Sequence, residues 1–295
     1  MSKIEWCDET INPIIGCSKA SLACSNCYAE KMARRLSSMN IRGYEDVIDE
    51  KGQWTGKLNF VESELNKPSK WKNPKRIFVG SMTDLFHENS DFMWINKIID
   101  MIKENPQHTF MFLTKRVGSM FRYFQEHPEN QNIKNLWIGV TVENQREAEL
   151  RIPILLQVPG NNIRFVSVEP MLGEINLASI VKLEFYDLNS FTGKMIDLDP
   201  AFADSYTENN KTNKLDWVIC GGETGNGARP LHPDWVNALF EQCKNHNTPF
   251  FFKAWGGWTY DLLNGELKSK RLGKKLAGSL LNGQKYNEFP QKGLL

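Results

Sequence analysis

Three cysteines within eleven residues, Cys17-x6-Cys24-x2-Cys27, carry the plainest chemical potential in the chain. Thiolates are soft ligands suited to zinc or iron–sulfur centres, and three of them can hold a metal centre with one position left open. Two centres suit the spacing. In one, Cys17, Cys24 and Cys27 hold a [4Fe–4S] cluster whose fourth iron stays available to a substrate or cofactor; clusters of this kind usually take four thiolates. In the other, Cys7 or a distant group completes a closed, tetrahedral zinc site. No neighbouring Cys-x2-Cys pair supplies the second half of a zinc ribbon. Thiols that bind nothing are the bland alternative.

Further candidates stand where short apolar runs turn polar. These ends read Gly80-Ser81-Met82-Thr83-Asp84, Thr114-Lys115-Arg116, Thr141-Val142-Glu143, Ser167-Val168-Glu169, Cys220-Gly221-Gly222-Glu223 and Lys253-Ala254-Trp255. In the Thr141/Glu143 and Ser167/Glu169 pairs the spacing of two puts hydroxyl and carboxylate on one side of a strand. A charge just past a strand usually belongs to a solvated loop, but six such ends together predict a pocket. Gly221, Gly222 and Gly225 would let a ligand approach the backbone. No Gly-x-Gly-x-x-Gly opens a helix after a strand, so no dinucleotide fingerprint is present.

The elements that must position these residues alternate. Strands are predicted at Thr10–Gly16, Arg76–Gly80, Thr109–Leu113, Leu136–Val142, Arg164–Val168, Trp217–Cys220 and Pro249–Phe252. Helices are predicted at Tyr28–Leu36, at Asp91–Glu104 with Ile95, Ile98, Ile99 and Ile102 on one stripe, at Gln145–Leu156 after Asn144 as cap, and at Pro233–Asn245 with Val236, Leu239, Phe240 and Cys243 on one face. That order predicts an α/β fold, a complete or partial TIM-type (β/α) barrel of about 6–8 parallel strands, with its site at the C-terminal strand ends. The expected organisation is one barrel domain over 1–258, with insertions at about 40–72 and 181–215, the second able to carry a hairpin. A basic element follows at 259–295.

Composition limits the rest. The chain has 295 residues, 41% hydrophobic, and a formal net charge of +1, so nothing in the overall balance demands a polyanionic partner. No apolar run reaches the ~20 residues of a membrane span, and the first residues, Met1-Ser2-Lys3-Ile4-Glu5-Trp6, lack a signal-peptide core. A cytoplasmic protein with no membrane association is expected, with its six cysteines as thiols or ligands. Cys243 reads as a small buried hydrophobe.

Longer motifs carry a family resemblance. Cys17-x6-Cys24-x2-Cys27-Tyr28-Ala29-Glu30, Arg76 to Glu88, Leu113 to Arg116, Val166 to Gly173, Trp217 to Glu223, Ala228-Arg229-Pro230 and Phe251 to Gly256 together resemble a three-cysteine-motif family borne by phages and mobile elements, of no assigned function. That family is similar in turn to the radical S-adenosylmethionine (SAM) superfamily, nearest its spore photoproduct lyase-like branch. There a Thr-Asp segment follows the second strand and a Thr-Lys pair the third, as Thr83-Asp84 and Thr114-Lys115 do here. The superfamily's common spacing is Cys-x3-Cys-x2-Cys, whereas this chain has six residues in the first gap.

The resemblance implies a [4Fe–4S] cluster on Cys17, Cys24 and Cys27, with SAM on the fourth iron and reductive cleavage to a 5′-deoxyadenosyl radical. Ser81 and Asp84 would contact the methionyl amine of SAM and Lys115 its carboxylate. Thr141, Glu143, Ser167 and Glu169 would face SAM or the substrate, and Glu223, Arg229 and Lys253 would line the far side. Cys220 is placed either as a hydrogen-atom donor or as a packed core thiol. The implied activity is that of a lyase or transferase acting in DNA modification or repair, on a nucleobase, a nucleotide or DNA. The implied partners are SAM, a nucleic acid or nucleotide substrate, and a partner protein encoded nearby. The opposing reading is a zinc-binding, non-catalytic nucleic-acid or host-interaction protein.

Overall fold

The computed structural model describes residues 4–182, 186–197, 212–263 and 266–291; the expected elements at 181–215 and 259–295 therefore lie partly outside the described residues. In chain order the first half contains β1 (Glu9–Ile11), β2 (Ile14–Ile15), α1 (Tyr28–Ser38), β3 (Asn59–Phe60), β4 (Arg76–Val79), α2 (Phe92–Glu104), β5 (Thr109–Thr114), α3 (Val117–Glu126) and β6 (Leu136–Thr141). The second contains α4 (Gln145–Gln157), β7 (Ile163–Val168), β8 (Ile180–Lys182), β9 (Tyr186–Asn189), β10 (Lys194–Asp197), β11 (Trp217–Gly221), α5 (Pro233–Asn245), β12 (Phe250–Ala254), β13 (Trp258–Leu263), β14 (Glu266–Arg271) and α6 (Lys274–Ala277).

Seven strands form a parallel sheet in the order β1-β4-β5-β6-β7-β11-β12. This is the partial form of the expected barrel, with β1 and β12 as its edges. Its strands are near-continuous apolar runs: all six residues of β6 and all six of β7 are buried, as a parallel sheet covered on both faces requires. Among the described residues no helix is long and apolar enough to cross a membrane. The residues pack as two compact units, one built on Met1–Gly139 with Val158–Ile163, the other on Val140–Gln157 with Arg164–Pro290.

In the first unit, β1, β4 and β5 pair in parallel register, with Ile11 opposite Val79 and Val79 opposite Phe112. The strand expected over Thr10–Gly16 is split. Pro13 offers no N–H to a ladder, and the chain turns at Asn12-Pro13, so β2 pairs antiparallel with β3 instead. α2 starts where Asp91 accepts a hydrogen bond from the Met93 N–H, a side-chain N-cap. It buries Ile95, Ile98, Ile99 and Ile102, each contributing about 2 kcal/mol of transfer free energy. Residues 40–72 are a packed wrap: Tyr44 and Val47 share a core with Ile15, Ala29, Ala33 and Met82, flanked by Cys27, Trp54 and Val61.

In the second unit, β11 lies between β7 and β12, all parallel. Asn144 caps α4 by accepting from the Glu147 N–H at 3.1 Å, and Pro233 opens α5, where its missing N–H costs nothing. β8, β9 and β10 form a three-stranded antiparallel sheet, and β13 and β14 a separate hairpin with Trp258 opposite Arg271.

Candidate functional site

The cysteine loop leaves β2 through Gly16, whose φ is 114°, a conformation open to glycine. A Cβ there would stand 2.1 Å from the Lys57 carbonyl oxygen, so only glycine lets the two backbones approach. The Gly16 carbonyl accepts from Thr83 Oγ1 at 2.6 Å, and the Cys17 carbonyl accepts from the Gly56 N–H at 3.1 Å. Cys17 is thereby pinned between the end of β4 and the 40–72 wrap. Cys24 lies in a short 3-10 turn over Leu22–Asn26, and Cys27 precedes the first turn of α1.

The three thiols interact electrostatically, yet they are not alike. Burial, then Asp84, pushes Cys17 up to about 12. Burial also raises Cys27, opposed by hydrogen bonds from the Glu30 and Ala29 backbone. Burial acts on Cys24 in the same sense, but the Lys115 ammonium and hydrogen bonds from Ala20 and Ser21 outweigh it and bring this thiol below its ordinary value. Lys115 Nζ lies 2.8 Å from Ser21 Oγ and 3.7 Å from Cys24 Sγ.

Asp84 holds Lys115 there. One carboxylate oxygen accepts from Thr114 Oγ1 at 2.6 Å and from the Phe86 N–H at 3.1 Å. The other accepts from the Lys115 N–H at 2.9 Å and from Arg116 Nη1 at 3.2 Å. Beside it, Ser18 is held from three sides. Its hydroxyl accepts from Arg116 Nη2 at 2.7 Å, meets His87 Nε2 at 2.8 Å and donates to Glu88 Oε1 at 3.0 Å. His87 Nδ1 accepts from the Asn89 N–H, so Nε2 carries the ring proton and donates to Ser18. Burial opposes ionisation of Glu88, but Arg116 and Ser18 bring it down to about 2. Ser81 stands at the edge of this group: its hydroxyl donates to Asn12 Oδ1 at 3.1 Å and its carbonyl accepts from Tyr28 Oη at 2.9 Å.

The residues expected at the later strand ends gather in the second unit. Glu143 is fully buried, 3.0 Å from Arg151 Nη1, which also donates to the Thr141 carbonyl at 2.6 Å; Arg151 pairs with Glu147 as well. Glu169 accepts from Ser167 Oγ at 3.2 Å and pairs with Lys253 Nζ at 2.9 Å. Glu223 takes three hydrogen bonds from Arg229, from its N–H at 2.8 Å, Nε at 2.9 Å and Nη2 at 2.6 Å. The Arg229 guanidinium is held protonated by that contact and also feels Glu143. Cys220 is buried, its thiol 3.8 Å from Met171 Sδ, and burial keeps it protonated.

The glycines here serve the chain. A Cβ on Gly221 would stand 2.8 Å from Glu169 Oε1, and one on Gly222 would stand 2.2 Å from the Trp255 carbonyl oxygen. Gly221 thus makes room for the Glu169–Lys253 pair, and Gly222 for the turn after β12, in place of the ligand approach expected from sequence. Gly225 alone of the three has open space around it.

The structure gathers Cys17, Cys24, Cys27, Asp84 and Lys115 with Ser81 at their edge, and separately Thr141, Glu143, Ser167, Glu169, Cys220, Glu223 and Lys253. Sequence reasoning gave no role to Ser18, Ser21, His87, Glu88, Arg116 or Arg151. Among the described residues, no group of three or more His, Cys, Asp or Glu side chains is placed so that it could hold a metal ion.

The parallel sheet and the three-thiol loop at its first strand–helix connection define an α/β protein with a cysteine-rich polar strand-end site. The chain belongs to the DUF5131 family, described as a protein of unknown function, whose family model matches residues 1–290. No curated protein matches the chain, and no solved structure does.

Proposed function

We propose that this chain is an iron–sulfur enzyme of the radical SAM type that acts on a nucleobase, in DNA or as a nucleotide. The observation that carries the reading is the position of Lys115. The cation following β5 reaches back to the cysteine loop, 3.7 Å from Cys24 Sγ, held there by Asp84 from the segment after β4. Three strand ends thus meet around thiols, as a cofactor site at the C-terminal edge of a parallel sheet requires.

The donor chemistry fits the cofactor. Three neighbouring thiols are a soft set of the kind that holds iron–sulfur clusters. With SAM bound, the cluster would supply the electron for cleavage to methionine and a 5′-deoxyadenosyl radical. The chain's own residues bind and orient. Cys17, Cys24 and Cys27 hold the cluster; Lys115 offers its ammonium to the SAM carboxylate and Ser81 its hydroxyl to the amine. Asp84 serves as the bracket that aims Lys115, because both its oxygens already accept hydrogen bonds from the protein. Lys253 with Glu169 and Ser167, and Arg229 with Glu223, form polar groups within the second unit.

Anaerobic purification with iron and sulfide analysis tests the reading, followed by reduction with dithionite in the presence of SAM. Release of 5′-deoxyadenosine, lost in Cys24→Ala, is the expected result. A colourless protein with one zinc and no iron would establish the non-catalytic zinc reading instead.

A further inference from the structure

We propose that the β13–β14 hairpin and the segment after it form a docking surface for the phosphate backbone of a nucleic acid. Lys268, Lys270, Arg271, Lys274 and Lys275 place five cations in eight residues, with no carboxylate among them, in a chain whose formal net charge is only +1. The patch is therefore local. All five side chains are exposed. Lys268 and Lys270, two apart on β14, share one face of the strand at a spacing of about 6.8 Å. Asp261 lies 3.8 Å from Lys270 Nζ, and both side chains are more than half exposed, so phosphate can displace that pairing at small cost.

The hairpin is also fastened to the second ionic cluster. Arg271 Nη2 donates to the Gly225 carbonyl at 2.9 Å. The Leu272 and Gly273 N–H groups donate to the Gly257 carbonyl at 3.1 and 3.0 Å, and the Gly257 N–H donates to the Glu223 carbonyl at 2.8 Å. Trp258 Nε1 donates to the Ala228 carbonyl at 2.6 Å. A strand held on the hairpin is thus held beside the loop that carries Glu223 and Arg229. A lipid surface asks for a broad apolar face; among the described residues from Lys268 onward, the exposed large apolar side chains are Leu276 and Leu280.

This deepens the proposed function and rests on it for the nature of the substrate, but the binding itself needs no cluster. The test is fluorescence anisotropy of a labelled 20-nucleotide single strand and its duplex with the full-length protein over a salt series. The variant is K268Q/K270Q/K274Q/K275Q, with the four-arginine version as the charge-preserving control. The expected result is salt-dependent binding by the native protein, at least tenfold weaker in the glutamine variant and retained in the arginine variant. The salt slope on the single strand should fall by about 0.7 for each lysine that meets a phosphate. No binding at low salt, equal binding by the glutamine variant, or binding to phosphatidylserine vesicles without binding to either oligonucleotide would overturn the proposal. Iron, sulfide and 5′-deoxyadenosine measured on the same proteins report separately on the enzyme reading.

Discussion

Replacing Asp84 with asparagine isolates the bracket on which the cysteine site is hung. The substitution keeps the shape and one acceptor oxygen, which can still serve Thr114 Oγ1 and the Phe86 N–H. It turns an amide NH2 toward the Lys115 N–H and Arg116 Nη1, two donors that thereby lose their acceptor on residue 84. An unsatisfied buried donor costs about 1–3 kcal/mol, and loss of one partner of a buried ion pair about 3–5. The Asp84 and Arg116 side chains are only 8% and 13% exposed, so little water can enter to help. The two costs overlap in the stranded Arg116, so D84N should lose about 3–5 kcal/mol, read as a lower urea midpoint. It should also release Lys115 from Cys24, so that Cys24 in the metal-free protein becomes slower to alkylate at pH 7.5. T114V, which removes one neutral donor from the same carboxylate, should cost about 1 kcal/mol. A D84N protein within about 0.5 kcal/mol of the native one, with Cys24 unchanged, would refute the bracket.

Three other outcomes follow from the same geometry. With iodoacetamide under anaerobic conditions, metal-free protein should react first at Cys24, because burial is outweighed there by Lys115 and raises Cys17 and Cys27; equal rates at all three, or no slowing in Lys115→Met, would contradict it. Gly16→Ala should cost more than about 3 kcal/mol and reduce iron content, since it combines a left-handed backbone with a Cβ 2.1 Å from the Lys57 carbonyl; a variant of native stability and iron content would remove Gly16 from the account. Glu88 has its folded-state value lowered to about 2, so its contribution is complete above its unfolded value near pH 4.5 and is lost as pH falls toward 2. Glu88→Gln should remove that acid limb, by less than about 1 kcal/mol because the side chain is 60% exposed; an unchanged pH–stability curve would argue against the Arg116 pairing.

The periodic elements were legible. Apolar spacing located α2, α4 and α5 to within a residue or two, and the strand–helix alternation led to the parallel sheet. α3 escaped because Gly118 and its aromatic and β-branched residues depress helix propensity, although Val117, Met120, Tyr123 and Phe124 are buried at helical spacing. The pairing of β13 with β14 escaped because β14, Glu266-Leu267-Lys268-Ser269-Lys270-Arg271, carries one apolar residue and so lacks the alternation that marks a strand. The cysteine loop, Asp84 and Lys115 could be read because each sits at a strand end within a motif. The clamp on Ser18 could not, since His87, Glu88 and Arg116 lie 69 to 98 residues away in sequence and meet it only through the fold. The roles of Gly221 and Gly222 were hidden for a similar reason: the atoms they make room for come from β7 and β12.

The most direct measurement is the metal and sulfide content of protein purified without oxygen, with its spectrum before and after reduction. The account predicts a brown protein with about four irons and four sulfides per chain, lost when Cys17, Cys24 or Cys27 is replaced by alanine. A colourless chain that holds one zinc, or that keeps its iron without these cysteines, would contradict it.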